Sequence, residues 1–140
     1  MSRPSTDRSP RRPWTGRPPP DLGEVFPAVL DSVSFVAMSS ALDGLALRQR
    51  VIADNVANIQ TPGFRAGRVS FEESLKVAVA DGTGATTAGV TRSLEATRMD
   101  GNNVNLDTET LLNIETNLRY QLATQAIDGS FSKMRTAMKG

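Results

Sequence analysis

Residues 54 to 65 read Asp-Asn-Val-Ala-Asn-Ile-Gln-Thr-Pro-Gly-Phe-Arg, and this stretch decides how the chain folds. Its Thr61-Pro62-Gly63-Phe64 segment has proline at the second position and glycine at the third position of a four-residue turn, which is the pattern of a type II turn. Proline also prevents a helix from continuing through this point. The stretch therefore predicts the end of a helix and a fixed change of chain direction.

Two asparagines precede the turn. Asn55 and Asn58 are three residues apart, so we expect both amides on the same side of the last helical turn. There they could hydrogen-bond the turn or a neighbouring molecule, although an ordinary helix stop would explain the motif alone equally well. We interpret the stretch as a hinge for assembly and not as an active site. We call its six residues the hinge motif: Asn55, Asn58, Thr61, Pro62, Gly63 and Phe64.

Apolar periodicity predicts a long helix on either side of the hinge. Upstream, spacings of 4 and 3 alternate from Met38 to Ile59 and predict a helix over residues 31–59. Downstream, a similar pattern from Leu111 to Met138 predicts a helix over residues 107–138, with Asp107 as its N-cap. We predict a mainly α fold in which the two amphipathic helices pair as an antiparallel, coiled-coil-like hairpin. The predicted helix-pairing stripe consists of Leu45, Ile52, Val56, Ile59, Leu111, Ile114, Leu118, Leu122, Ile127 and Phe131.

The region between the helices has little capacity to form a core of its own. After the turn at residues 60–64, the middle region (65–106) begins with a short helix that ends near Val79 and has Ser70 as its predicted N-cap. Residues 81–91 are rich in glycine, threonine and alanine, which predicts a flexible loop with room for weak strands at its edges.

The N-terminal residues have a different composition. Six of the eight prolines and five arginines lie within the first 20 residues, against one aspartate, so this segment carries +4 and the other 120 residues carry −3. We predict a disordered tail over residues 1–28 and a single folded domain over residues 29–140. A polybasic tail without stacking aromatics is weak support for nucleic-acid binding, and we predict none.

Composition also argues against catalysis. The chain has no cysteine and no histidine, which removes thiolate and imidazole nucleophiles and the usual zinc and haem sites. The Asp/Asn-rich segment 100–107 departs from a calcium loop, because Asn105 stands at the glycine position and Leu111 at the bidentate glutamate position. We therefore predict no catalytic residue, cofactor, metal or small-molecule substrate, and a protein that is not an enzyme.

Two amphipathic helices bury too little apolar surface to offset the conformational entropy lost on ordering them. Either other copies of the chain cover the exposed stripes, or the helix ends are loose in the monomer. Both alternatives point towards assembly.

Two motifs carry a family resemblance over about residues 30–139. The hinge motif at the end of an N-terminal amphipathic helix resembles the signature of the bacterial flagellar axial proteins, which form the rod and hook. Asp-Gly-Asn-Asn-Val-Asn-Leu-Asp at residues 100–107, with Asn-Leu-Arg-Tyr-Gln at 117–121, is similar to proximal rod members of that family. The short middle region agrees, since rod-proximal members lack the large middle domains of hook proteins.

The resemblance implies a structural subunit of the flagellar basal body rod. It implies partners, namely other copies of the chain, neighbouring rod proteins, the MS-ring junction and the flagellar type III export apparatus. It also implies export without a cleaved signal peptide, which fits the lack of an apolar leader segment.

About 30 extra N-terminal residues depart from the family, and an upstream start-codon assignment or a genuine tail would each explain them. The competing hypothesis is a helical adaptor or regulatory module that docks onto a partner helix bundle.

Overall fold

The computed structural model describes residues 22–139, with side chains from Ser32 onwards except that of residue 137. The elements in chain order are α1 (Leu22–Ala57), β1 (Gly67–Ser70), α2 (Glu72–Ala80), β2 (Gly89–Arg92) and α3 (Leu106–Lys139). The predicted mainly α architecture, with a short helix and weak strands between two long helices, is confirmed.

The two long helices form an antiparallel pair. Phe35 meets Phe131 edge-to-face at 5.5 Å between ring centroids, and Gln49 donates a hydrogen bond to Asn117 at 2.5 Å. Residue numbers thus rise along α1 as the numbers of their partners fall along α3. At 1.5 Å per residue, the 36 residues of α1 and the 34 of α3 give lengths of about 54 and 51 Å.

The helix boundaries differ from those predicted, chiefly at the N-terminus. Helix α1 begins at Leu22, so residues 22–28 are helical and not part of a disordered tail. The composition changes there, because the dense proline and arginine sequence ends at Pro20, and residues 22–30 contain one proline, Pro27, and no arginine. The rest of the predicted tail, residues 1–21, lies outside the described part of the chain.

Both predicted N-caps are wrong. Helix α3 is capped by Asn105, whose Oδ1 accepts from the backbone N–H groups of Asp107 and Thr108 at 2.9 and 3.3 Å. Helix α2 follows Phe71, which provides no side-chain cap, although Glu72 Oε2 accepts from the Phe71 N–H at 3.2 Å. Helix α2 begins two residues after the predicted cap Ser70, and α3 begins one residue before the predicted cap Asp107.

A small core lies where the hairpin of strands packs on α1. Strands β1 and β2 pair antiparallel, with Val69 opposite Val90. Phe71 is buried with Leu45 and Val69, and its ring lies against Gly44, where a Cβ atom would approach it to 2.7 Å. Glycine is thus needed at this position of α1 for the strand hairpin to pack closely.

Helix α3 turns a different face to α1 than the apolar pattern predicts. Leu111, Ile114, Leu118 and Leu122, which we call the outer stripe, are 57–69% exposed. The inner face is formed instead by Glu109, Leu112, Thr116, Ala123 and Ile127, which are buried or half-buried. Periodicity predicts which residues share a face, but the inner face also holds two buried polar residues whose hydrogen bonds are satisfied. Glu109 accepts from Asn55 of α1, and Thr116 donates to the Leu112 carbonyl one turn earlier in α3.

Candidate functional site at the junction of two motifs

The hinge motif and the Asp/Asn-rich segment 100–107 meet at one end of the helix pair. We call this contact region the motif junction. It joins the end of α1, the start of α3 and the strand hairpin, and it is held mainly by side-chain amides. In the part of the chain that the structure describes, every buried side-chain nitrogen and oxygen has a hydrogen-bond partner.

The side-chain amide of Asn55 forms two hydrogen bonds with the backbone of β1, as a neighbouring strand would. Its Oδ1 accepts from the Gly67 N–H at 2.8 Å, and its Nδ2 donates to the Gly67 carbonyl at 3.0 Å. The side chain is fully buried. A Cβ atom on Gly67 would lie 2.7 Å from Val51 Cγ1, so glycine permits this close approach.

The same amide reaches the other long helix. Asn55 Nδ2 also donates to Glu109 Oε2 at 3.0 Å, and Arg68 Nη1 donates to Glu109 Oε1 at 2.6 Å. Glu109 has no solvent exposure, whereas the Arg68 side chain is 25% exposed. Arg68 extends further to Glu95 at 3.1 Å. One buried carboxylate thus links α1, β1 and α3, and both of its oxygens have partners.

Asn102 closes the end of α1. Its Nδ2 donates to the carbonyls of Asn58, Ile59 and Thr61 at 2.9, 3.2 and 2.9 Å. These carbonyls lie just beyond the helical hydrogen-bond ladder. Each also accepts from a second donor, which is the Thr61 N–H for Asn58, the Arg98 guanidinium for Ile59 and the Phe64 N–H for Thr61. The Asn102 Oδ1 accepts from the Val104 N–H at 2.7 Å. A residue more than 40 positions downstream therefore terminates the first helix.

Asn103 performs a similar role for the strand hairpin. Its Oδ1 accepts from the Ala66 N–H at 2.7 Å, while its Nδ2 donates to the carbonyls of Ser93 and Glu95 at 3.3 and 3.2 Å. The adjacent asparagines 102 and 103 thus fix two different segments to the start of α3.

The turn has the predicted type II features. Gly63 has φ +72°, and the Phe64 N–H donates to the Thr61 carbonyl at 3.2 Å. The Gly63 N–H donates to the Asp100 carbonyl at 2.8 Å, which joins this turn to the second one. Gly101 has φ +79°, and a Cβ atom there would lie 3.3 Å from Gly63 Cα. The two glycine turns therefore lie in contact.

The hinge-motif residues separate into two groups. Asn55 is buried within the junction, whereas Asn58 is half-exposed at the end of the helix. The Asn58 Nδ2 donates to the Asp54 carbonyl at 2.9 Å, and its Oδ1 accepts from Thr61 Oγ1 at 3.2 Å. Thr61, Pro62 and Gly63 are exposed. Phe64 is half-buried beneath Arg92, whose guanidinium lies 5.6 Å from the ring centroid.

The predicted helix-pairing residues also divide. Leu45 and Ile52 are buried, Ile59 and Ile127 are half-buried, Val56 is 37% exposed, and Phe131 is 46% exposed despite its contact with Phe35. The outer stripe is turned away from α1. Among residues 32–139, no helix of this chain packs on the outer stripe.

Sequence reasoning missed four residues of the junction: Arg68, Asn102, Asn103 and Glu109. The density of asparagine at residues 102–105 was a usable signal, since a turn and an N-cap need only one or two such side chains. Glu109 gave no signal, because a glutamate in the first turn of a helix is usually an exposed dipole partner.

The side chains of the motif junction hold backbone segments together through hydrogen bonds. Among the described residues, no cluster of three or more aspartate or glutamate side chains could hold a metal ion. A cavity of about 190 Å³ lies between α1, β1 and α3. Four of its charged lining residues, Arg48, Glu72, Glu115 and Arg119, are joined by ion pairs, and the fifth, Arg68, pairs with Glu95 and Glu109. Within the same residues, no helix is both long and apolar enough to span a membrane.

Comparison with known proteins agrees with this geometry. The family model "Flagella basal body rod protein" matches residues 36–65, which comprise the second half of α1 and the whole hinge motif. The chain is similar to the flagellar basal body rod proteins, a class of structural proteins, and no comparison supports the helical-adaptor alternative.

Its relatives are FlgB proteins. The chain is 28% identical over 118 residues to FlgB of Bacillus subtilis, covering 74% of this chain and 91% of that protein. It is 28% identical over 122 residues to FlgB of Escherichia coli, covering 71% and 88%. A shorter match to FlgB of Borreliella burgdorferi is 57% identical over 37 residues, covering 26% and 27%.

Proposed function

We propose that this chain is a non-enzymatic subunit of the proximal rod of the flagellar basal body. In this role it assembles with other copies of itself and with neighbouring rod proteins into the drive shaft for motility. The outer stripe is the observation that carries the proposal, because its four large aliphatic side chains are more than half exposed on the face of α3 opposite α1. Such a surface marks a protein contact.

The energetics favour assembly with several neighbours over a simple dimer. Covering four half-exposed Leu and Ile side chains contributes roughly 3–6 kcal/mol. The loss of translational and rotational freedom on association costs about 4–15 kcal/mol. One such contact therefore gives a weak pair, whereas a subunit held on several faces is stable. This is the behaviour expected of a chain that orders fully only in its polymer.

The same proposal includes the other partners of such a subunit. We expect the chain to be exported by the flagellar type III apparatus and to contact the MS-ring junction at the base of the rod. The motif junction would keep the ends of the two long helices in one geometry while the outer stripe is covered by neighbours.

The proposal is tested by deleting the coding region and examining purified basal bodies by electron microscopy. Assembly should stop before the rod, and the full chain supplied in trans should restore it. Leu118→Asp should not restore rods, whereas Val79→Asp, which also places a charge at an exposed apolar position but on α2, should do so. Normal rods in the deletion strain, or with Leu118→Asp, would contradict the proposal.

A further inference from the structure

The loop that joins α2 to β2, residues 81–88, lies directly against the first half of α1. Its glycine, threonine and alanine residues predict a flexible loop, yet Gly84 is buried. A Cβ atom on Gly84 would lie 2.6 Å from the Val33 carbonyl oxygen and 3.0 Å from the Ala37 nitrogen. The backbone of this loop, which we call the strap, therefore meets the backbone of the helix.

The strap is attached to two helices. At its start, the N–H groups of Thr83 and Gly84 both donate to the Ala78 carbonyl of α2 at 2.9 Å. Further along, the Thr86 N–H donates to Ser40 Oγ of α1 at 3.3 Å. The strap thus connects the end of the short helix to the side of the long one.

The strap and α3 contact opposite faces of α1. Val33, Ala37 and Ser40 follow spacings of four and three residues, so they share the face that meets the strap. Phe35 is two residues from Val33, which places it about 200° around the helix, and its ring contacts Phe131 of α3. The first half of α1 therefore lies between the strap and α3.

This half of α1 has little else to hold it. Along residues 33–41, all of which the structure describes, no residue is buried, and burial begins only at Gly44 and Leu45. In the contact with α3, Phe35 and Phe131 remain 39 and 46% exposed. A segment with so little buried apolar surface opens locally at low cost, so the contact with the strap has a large influence on it.

We propose that the strap and residues 33–41 of α1 open and close together in the free subunit, and that the strap keeps this half of α1 closed. The motif junction begins about 20 Å further along α1, so it stays intact when the two segments open. The strap has no large apolar side chain and holds α1 through backbone contact, which makes the closure reversible. This device operates in the free subunit and is independent of the proposed function.

Hydrogen exchange measured by mass spectrometry on the soluble full chain tests the strap. Gly84→Ala is compared with Gly82→Ala, because both glycines have positive φ (+65° and +73°) but a Cβ atom at Gly82 meets nothing within 4 Å. Amides of residues 33–41 should exchange at least about tenfold faster in Gly84→Ala, while those of residues 52–58 and 106–112 match in the two variants. Equal exchange at 33–41, or equal acceleration throughout the chain, would overturn the inference.

A substitution on the helix side gives a second measurement. Ser40→Ala removes the acceptor of the Thr86 N–H, and Ser39→Ala, at the exposed neighbouring position, is the matched control with the same gain in helix propensity. Exchange should rise about threefold in Ser40→Ala relative to the control, both in the strap and at residues 33–41. A rise confined to the Thr86 amide, or none, would contradict a joint opening of the two segments.

Discussion

Asn55 and Glu109 are 54 residues apart in the sequence, and their buried side chains are hydrogen bonded at 3.0 Å. This bond joins the last turns of α1 to the first turn of α3, and Arg68 attaches the strand hairpin to the same carboxylate. The two ends of the long helices thus share one buried polar contact.

Removing either side chain should destabilise the fold. Glu109→Gln leaves the Arg68 guanidinium without its buried counter-charge, a change that costs about 3–5 kcal/mol for a buried pair and somewhat less here because Arg68 reaches solvent. Asn55→Ala should cost about 2–3 kcal/mol, because the buried Gly67 N–H loses its acceptor and the Gly67 carbonyl keeps only the Arg68 guanidinium as a side-chain donor. Urea unfolding monitored by circular dichroism measures both. Asn58→Ala, in the same turn but half-exposed, should cost less than about 1 kcal/mol, and equal costs for the two asparagines would contradict this account.

Aspartate at two apolar positions should separate folding from assembly. Ile52 is 6% exposed, so Ile52→Asp buries an unpaired charge and should cost more than about 4 kcal/mol of unfolding free energy. Leu118 is 58% exposed, so Leu118→Asp should change that free energy by less than about 0.5 kcal/mol. Both changes should abolish rod incorporation, the first through unfolding and the second at the interface. A large loss of stability for Leu118→Asp would show that the outer stripe packs within the monomer.

Alanine substitutions at the glycines of the two turns should lower the stability by different amounts. Gly63→Ala and Gly101→Ala place a side chain at positive φ, which costs about 1–2 kcal/mol at each position. Gly101→Ala should cost more, because its Cβ would also lie 3.3 Å from Gly63 Cα, whereas a Cβ at Gly63 meets nothing within 4 Å. Thermal unfolding measures the difference. Gly89→Ala is the matched control, since that glycine has ordinary φ and open space, and a stability loss there as large as at Gly101 would refute the explanation.

Glu72 should give part of the stability a dependence on pH. Burial raises the pKa of Glu72, but the hydrogen bond from Arg48 and the backbone N–H groups of Phe71 and Glu72 outweigh it, so the pKa is lowered. A lowered folded-state pKa stabilises the fold above the unfolded value of about 4.3, and the contribution disappears as pH falls through the folded-state pKa. Because the Glu72 side chain is 44% exposed, we expect less than about 1 kcal/mol.

Chemical denaturation of wild type and Glu72→Gln across pH 3–7 measures this contribution. The difference between the two should be constant near neutral pH and should vanish at the acid end. Glu73→Gln, one residue away and 82% exposed, serves as control. A difference that grows on acidification would have the wrong sign.

Much of the fold could be predicted from local sequence. The alternation of apolar spacings predicts both long helices, and Pro62 with Gly63 predicts the turn, because these effects act over a few residues. The face that α3 presents to α1 could not be predicted in this way. A stripe such as Leu111–Leu122 must be covered by something, but its periodicity does not say whether the cover is the same chain or a neighbour.

The motif junction could not be predicted from local sequence for a related reason. Asn102 is read locally as a turn residue, and its three acceptors at Asn58, Ile59 and Thr61 become visible only when the chain has folded back. Glu109 likewise fits the expectation for a first-turn acid until Asn55 and Arg68 surround it. Long-range pairing of polar groups has no periodic signature.

The amides of the motif junction have one further consequence. Asn55, Asn102 and Asn103 do not titrate, and a hydrogen bond between neutral groups is not screened by dissolved ions as exposed ion pairs are. The charged group beside them, Glu109, has no contact with solvent. Ionic strength that weakens the outer ion pairs should therefore leave these amide contacts unchanged. A subunit with such a joint would keep the same angle between its two long helices at low and at high salt.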